Sequence, residues 1–192
     1  MKNFIFIIIL LGVVLAVAYL FNSKPTPEST QTVQHGQTDH SIGQRTKEDD
    51  CVITGPYQDK ACTPGAVFPD VTAEQICVRG YSKSVRHVPA AEKREVYEDY
   101  GITHHGRGEY EVDHLISLEL GGSNDIANLW PEAAEPRPGF HEKDKVENYL
   151  HAQVCSGRIA LKEAQWEIAN EWLAVYKSMD HQDTMSDDEG SP

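Results

Sequence analysis

An unbroken apolar run from Phe4 to Phe21 constrains this chain more than any other feature. Its eighteen residues, at about 1.5 Å rise each, span roughly 27 Å, close to the thickness of a bilayer core. Lys2 and the α-amine supply the positive start of an export signal. A buried core helix would show a polar face somewhere, and this run has none. The run is longer than the apolar part of most cleaved signals, which favours an uncleaved anchor, while Ala16-Val17-Ala18 offers a cleavage site. Residues 1–22 are therefore read as a signal anchor or a signal peptide. In both cases the positive end stays inside and the rest of the chain crosses the membrane. The expected location is membrane-anchored on the periplasmic or extracellular side, or secreted.

The cysteines agree with an oxidising compartment. There are four, Cys51, Cys62, Cys77 and Cys155, and none forms a C-x-x-C pair. An even number in an exported chain reads as two disulfides rather than a zinc knuckle. Of the three connectivities we favour Cys51–Cys62, which closes a short loop, with Cys77–Cys155, which ties the two ends of the domain.

Residues 23–50 are mostly Ser, Thr, Gln, Pro and charge. Such a segment buries too little apolar surface to offset its chain entropy and is read as a flexible polar linker. Residues 180–192 carry five acidic side chains and no Lys or Arg, and are read as a disordered acidic tail. One domain remains, residues 51–179. The chain holds 17 Lys and Arg against 30 Asp and Glu, a formal charge of −13. That excludes a chain-wide basic surface for nucleic acid, so an anionic substrate must meet a local basic patch or a metal ion.

Within the domain the pattern is α+β. Pro89 opens a helix that runs to Tyr100, with Gly101 as its stop. Tyr110 to Leu120 reads as a strand, residues 121–125 as a turn, and Ile126 to Trp130 as a short extended return closed by Pro131. Ala133 to Gly139 reads as a loop. A helix is expected from His141 to Val154, ended by Ser156-Gly157, and a last amphipathic helix through Leu161, Ala164, Ile168, Trp172 and Val175. At 100° per residue, His141, Lys145 and Asn148 fall within about 40° of one line, with Val146, Leu150 and Val154 opposite. One helix face is thus polar and the other packs. Trp130 and Trp172 read as core, and His104-His105 as a solvated loop pair.

The stretch YEVDHLISLELGGSNDIANLWP, from Tyr110 to Pro131, followed by GFHEKDK, from Gly139 to Lys145, carries the chemistry. It holds an Asp-His pair, a Gly-Gly turn, an Asn-Leu on the return strand and a His at a helix start. Phosphodiester hydrolysis needs an activated water and stabilisation of developing charge. A neutral His and a divalent ion with few protein ligands supply these. Asp113 and His114 are neighbours, so a regular strand would send them to opposite faces. Both serve one site only if the strand bends or ends there.

In these motifs the sequence resembles the HNH endonucleases, whose active site is a β-hairpin and a helix clasping one metal ion. Residues Cys62 to Ala66, Ile76-Cys77, Gly80-Tyr81, His151, Val154 to Gly157 and Ala164-Gln165 look like flanking features of an exported subfamily. The resemblance implies a β-hairpin-plus-helix nuclease core with additional flanking helices. It makes Asp113 and His141 metal ligands and His114 the general base, with Asn128 orienting His114 or bracing the loop. Some of these enzymes carry a second helix ligand four residues on; here that position is Lys145. Two protein ligands, with waters and phosphate completing the shell, favour Mg²⁺ or Mn²⁺ and leave Zn²⁺ or Ni²⁺ open. Lys145 is then free for phosphate. The other basic candidates for a DNA backbone are Arg79, Lys83, Arg86, Arg107, Arg137 and Lys143. Two functions compete: a metal-dependent DNA endonuclease facing outside the membrane, and an exported non-catalytic module that keeps the scaffold to bind a partner.

Overall fold

Apolar residues continue well past Tyr110, but they build less strand than their composition suggests. In the computed structural model, which describes residues 42–179, β1 is Tyr110–His114 and β2 is Leu129–Ala133. They pair antiparallel, with Asp113 opposite Trp130, Glu111 opposite Glu132 and His114 opposite Leu129. The strand expected to reach Leu120 ends at His114 because the next backbone groups are taken by a side chain. Buried Asn128 accepts the Ile116 N–H (2.9 Å) and donates to the Ile116 carbonyl (3.0 Å), which removes Ile116 from any ladder. Leu118–Leu120 is a single 3-10 turn instead, ended by Gly121 at φ 77°. At Gly122 a Cβ would lie 1.7 Å from the Ile116 carbonyl oxygen, so only glycine fits there.

Ile126–Asn128 is a second 3-10 turn, with Asp125 as its cap. Pro131 does not close β2. It lies inside it, opposite Val112, in a two-stranded ribbon where each strand has an unpaired edge that tolerates a missing N–H.

The helices follow their start and stop signals more closely. Helix α1 is Ala73–Ile76, held at its start by the reciprocal Thr72–Gln75 cap. Helix α2 is Tyr81–Val85 and α3 is Ala90–Asp99, opened by Pro89. Helix α4 is Phe140–Cys155, with Ser156 as its C-cap. Glu142 accepts the Gly139 N–H at 3.0 Å and so satisfies one orphan donor at the helix entrance. Helix α5 is Leu161–Asn170. The continuous helix expected to Val175 breaks at Glu171, and the chain is helical again over residues 172–179. Just past the break, Trp172 is fully buried and donates its indole N–H to the Pro56 carbonyl.

The core lies under the loops on either side of the hairpin. Val146, Leu150 and Val154 of α4 are buried with Ile168 and Trp172, against Leu115, Ile116 and Trp130. Each fully buried large apolar side chain contributes about 1.5–3 kcal/mol. His141, Lys145 and Asn148 are exposed on the opposite face of α4, as the helical spacing requires.

Residues 42–50, assigned above to the linker, belong to the folded domain. Ile42 packs on the core, Arg45 pairs with Asp99 at 2.6 Å, and the Thr46 N–H donates to the Ala61 carbonyl. Composition alone hid this, since one aliphatic side chain and the Arg45–Asp99 and Lys47–Asp59 ion pairs do the anchoring. The remainder of the linker, the apolar run and the acidic tail lie outside the described residues. Among the described residues no helix is long and apolar enough to cross a membrane. The disulfides are Cys51–Cys62 and Cys77–Cys155, which suits an oxidising environment.

Candidate active site

The hairpin register gathers the acidic side chains that the sequence scatters. Glu111, Asp113 and Glu132 share one hairpin face, because cross-strand partners and residues two apart point the same way. Lys143 enters this face from the first turn of α4. Its ammonium donates to Asp113 Oδ2 (3.0 Å), to the His114 carbonyl (2.9 Å) and to Glu147, and lies 3.6 Å from Glu132. Lys143 is 0% exposed. The expectation that it meets a DNA backbone is thereby corrected: it is an internal counter-ion, out of reach of substrate.

Three carboxylates around one ammonium cannot all ionise freely. Burial works against the charged form of Lys143, but Asp113, Glu147 and Glu132 outweigh it and hold the ammonium well above its usual pKa. Burial likewise opposes ionisation of Asp113, yet the Lys143 charge and hydrogen bond leave that carboxyl below its usual range. Glu132 goes the other way. Buried, with neither oxygen hydrogen-bonded, it is pushed well up. Burial raises Glu147 to about 7 against the pull of Lys143. At neutral pH the cluster therefore keeps Asp113 as its firm anion.

His114 closes β1 and is buried. Its Nε2 lies 3.2 Å from Asn124 Oδ1. An amide oxygen only accepts, so Nε2 carries the proton and Nδ1 keeps the lone pair. Asn124 is itself held: its Nδ2 donates to the Val85 carbonyl (2.8 Å) and its Oδ1 also accepts the His87 N–H (3.0 Å). Nδ1 is buried and has no hydrogen-bond partner among the described residues. Burial lowers the His114 pKa, more than the Asp113 charge and the Asn124 bond raise it, so the ring is uncharged at neutral pH. This is the protonation state that a general base needs.

Asn128 has a different task. Besides Ile116 it donates to the Ser123 carbonyl (2.8 Å) and accepts the Ala66 N–H (3.3 Å). All its bonds go to backbone. Of the two roles given to it above, the structure supports the brace, and Asn124, which sequence reasoning passed over, orients His114. The Asn inside the Gly-Gly turn cluster was the available signal, but it reads as ordinary turn chemistry.

His141 is exposed in the first turn of α4, its ring 4.2 Å from that of Phe140. Asp144, exposed one turn on, feels both Asp113 and His141: burial and Asp113 raise its pKa while Lys143 and His141 lower it, with a net rise. Asp113, His141 and Asp144 do not bring their ligand atoms within 4.8 Å of one another, so a hard divalent ion, which their oxygens and imidazole suit chemically, would have to draw them together. Asp113 is 19% exposed, so it is open to solvent on one side. Lys145 is exposed and lies 5.7 Å from the Tyr176 ring, and Arg107 is exposed in the loop before β1.

Among the described residues, one group of three or more His, Cys, Asp or Glu side chains brings ligand atoms within 4.8 Å of one another: Cys77, His151 and Cys155. It could hold a metal ion only with the Cys77–Cys155 bond open, since a disulfide sulfur is not a thiolate. No family model, no curated protein and no solved structure matches the chain.

Proposed function

We propose that this chain is a metal-dependent endonuclease that hydrolyses DNA phosphodiester bonds on the outer side of a membrane. One observation carries the reading. A buried, neutral His114, with its tautomer fixed by Asn124, sits next to Asp113, the firm anion of a cluster at the end of a hairpin. In this reading Asp113 and His141 hold a divalent ion, Mg²⁺ or Mn²⁺, with Asp144 beside them. When bound, the ion stabilises negative charge on the phosphate and the leaving oxygen. His114 takes the proton of the attacking water at Nδ1, the nitrogen that keeps its lone pair, once substrate and water uncover that buried atom. Asn124 holds the ring so that this lone pair stays free. Lys143 keeps Asp113 ionised. Asn128 fixes the loop that joins the strands. Lys145 and Arg107, exposed cations, meet the DNA backbone, and the net negative charge makes that binding weak and salt-sensitive.

A second reading is a non-catalytic exported module, and one observation favours it: Lys143 already engages one oxygen of Asp113. Plasmid cleavage by the purified full chain separates the two. The nuclease nicks or cuts with Mg²⁺ and stops with EDTA. Absence of cleavage with every divalent ion tried would support the module, and cleavage that survives EDTA would sink the metal mechanism.

A further inference from the structure

The two disulfides occupy opposite environments. Cys51 and Cys62 are 6% and 1% exposed and belong to the core. Cys77 and Cys155 are both exposed, one at the C-cap of α1 and the other as the last residue of α4. Beside the exposed bond stands His151, one turn back on α4. Its Nε2 lies 3.2 Å from the Ile76 carbonyl and 3.4 Å from Cys155 Sγ. A carbonyl oxygen and a disulfide sulfur are both acceptors, so Nε2 carries the proton and presents it to both.

We propose that Cys77–Cys155 is a thiol–disulfide exchange site, opened by dithiols, with His151 directing the reaction to one sulfur. Solvent access admits the reagent, and the N–H decides which sulfur leaves. A hydrogen bond to a thiolate is stronger than one to a neutral sulfur, so the donor favours the state in which Cys155 carries the charge. The reagent's thiolate attacks Cys77 Sγ and forms a mixed disulfide. The Cys77–Cys155 bond breaks and its electron pair leaves on Cys155 Sγ as a thiolate. The reagent's second thiol loses its proton to solvent and displaces Cys77 Sγ. The reagent ends as a cyclic disulfide and the protein as a dithiol, once each protein thiolate takes up a proton. Two electrons and two protons have moved from reagent to protein. Opening frees Cys77 from α4, and the chain leads on from it to Val85 and His87, which hold Asn124.

The test uses the folded full chain without denaturant. It is exposed to dithiothreitol, quenched with an alkylating agent at intervals and mapped by mass spectrometry. The expected result is alkylation of Cys77 and Cys155 while Cys51 and Cys62 remain bonded. His151→Ala should slow that opening roughly tenfold, the scale of one hydrogen bond to a charged atom. Opening of Cys51–Cys62 first, or of both bonds together at the rate of global unfolding, would overturn the site. Opening of the His151→Ala protein at the wild-type rate would overturn the role of His151. The wild-type order alone decides the first point, whatever the variant's stability.

Discussion

Lys143→Met removes the one cation among Asp113, Glu132 and Glu147 while keeping an unbranched side chain of similar reach. Without it the cluster must replace the lost positive charge by taking up a proton. Glu132 and Glu147 already hold much of the proton they can, so the new proton falls on Asp113. At pH 7, protonating a carboxyl whose unfolded pKa is about 3.9 costs roughly 3.1 pH units, or about 4 kcal/mol at 1.36 kcal/mol per unit. That agrees with the ~3–5 kcal/mol typical of breaking a buried ion pair from one side. At pH 5 the same proton costs roughly 1.1 units, so the penalty should fall to about 1.5 kcal/mol. A domain of this size has on the order of 5–15 kcal/mol to lose, which keeps the variant folded and measurable. Urea unfolding of both proteins at pH 7 and pH 5 gives the comparison. A loss below about 1 kcal/mol at pH 7 would refute the cluster as described. An equal loss at both pH values would refute the proton-replacement argument.

Two further outcomes follow from the same structure. Glu147 titrates at about 7 in the folded chain, above its unfolded value, so the folded form binds a proton that the unfolded form lacks between those two points. Stability should therefore decline as pH rises through that window, by on the order of 3–4 kcal/mol at 1.36 kcal/mol per unit, partly offset by His114, whose lowered pKa acts in the opposite sense. Glu147→Gln should flatten the decline in urea midpoints, and an unchanged slope would contradict the assignment. Replacing Cys77 and Cys155 with Ser removes a closure across 78 residues, which chain entropy values at about 4.5 kcal/mol. Urea unfolding should show most of that loss, and a change below ~1 kcal/mol would mean that the denatured chain is already constrained.

Helices were legible where the chain punctuates them. Pro89 and Gly101 bracket α3, and the apolar spacing from Val146 to Val154 gives the buried face of α4. The hairpin was only half legible. Its residues were plain, but the strand ends depend on Asn128 binding Ile116 across 12 residues, a contact that local composition does not report. The acidic cluster was not legible at all. Asp113, Glu132, Lys143 and Glu147 meet only once register and helix docking are known, and a Lys in a charged run reads as solvated. Asn124 was missed for a similar reason, since its partners Val85 and His87 are distant in sequence.

The proposed nuclease rests on His114 acting as base and on Asp113 and His141 acting as ligands. Initial cleavage rate against Mn²⁺ concentration, for the wild type and for His114→Ala, Asp113→Ala and His141→Ala, tests that division most directly. Loss of a general base costs about 10²- to 10⁴-fold whatever the metal concentration. His114→Ala should therefore stay slow at every concentration, while Asp113→Ala and His141→Ala should recover part of their rate as Mn²⁺ rises. Rescue of His114→Ala by metal, with Asp113→Ala remaining dead, would reverse the roles. Four proteins with identical rates would show that the cleavage belongs to a contaminant and that the nuclease reading is wrong.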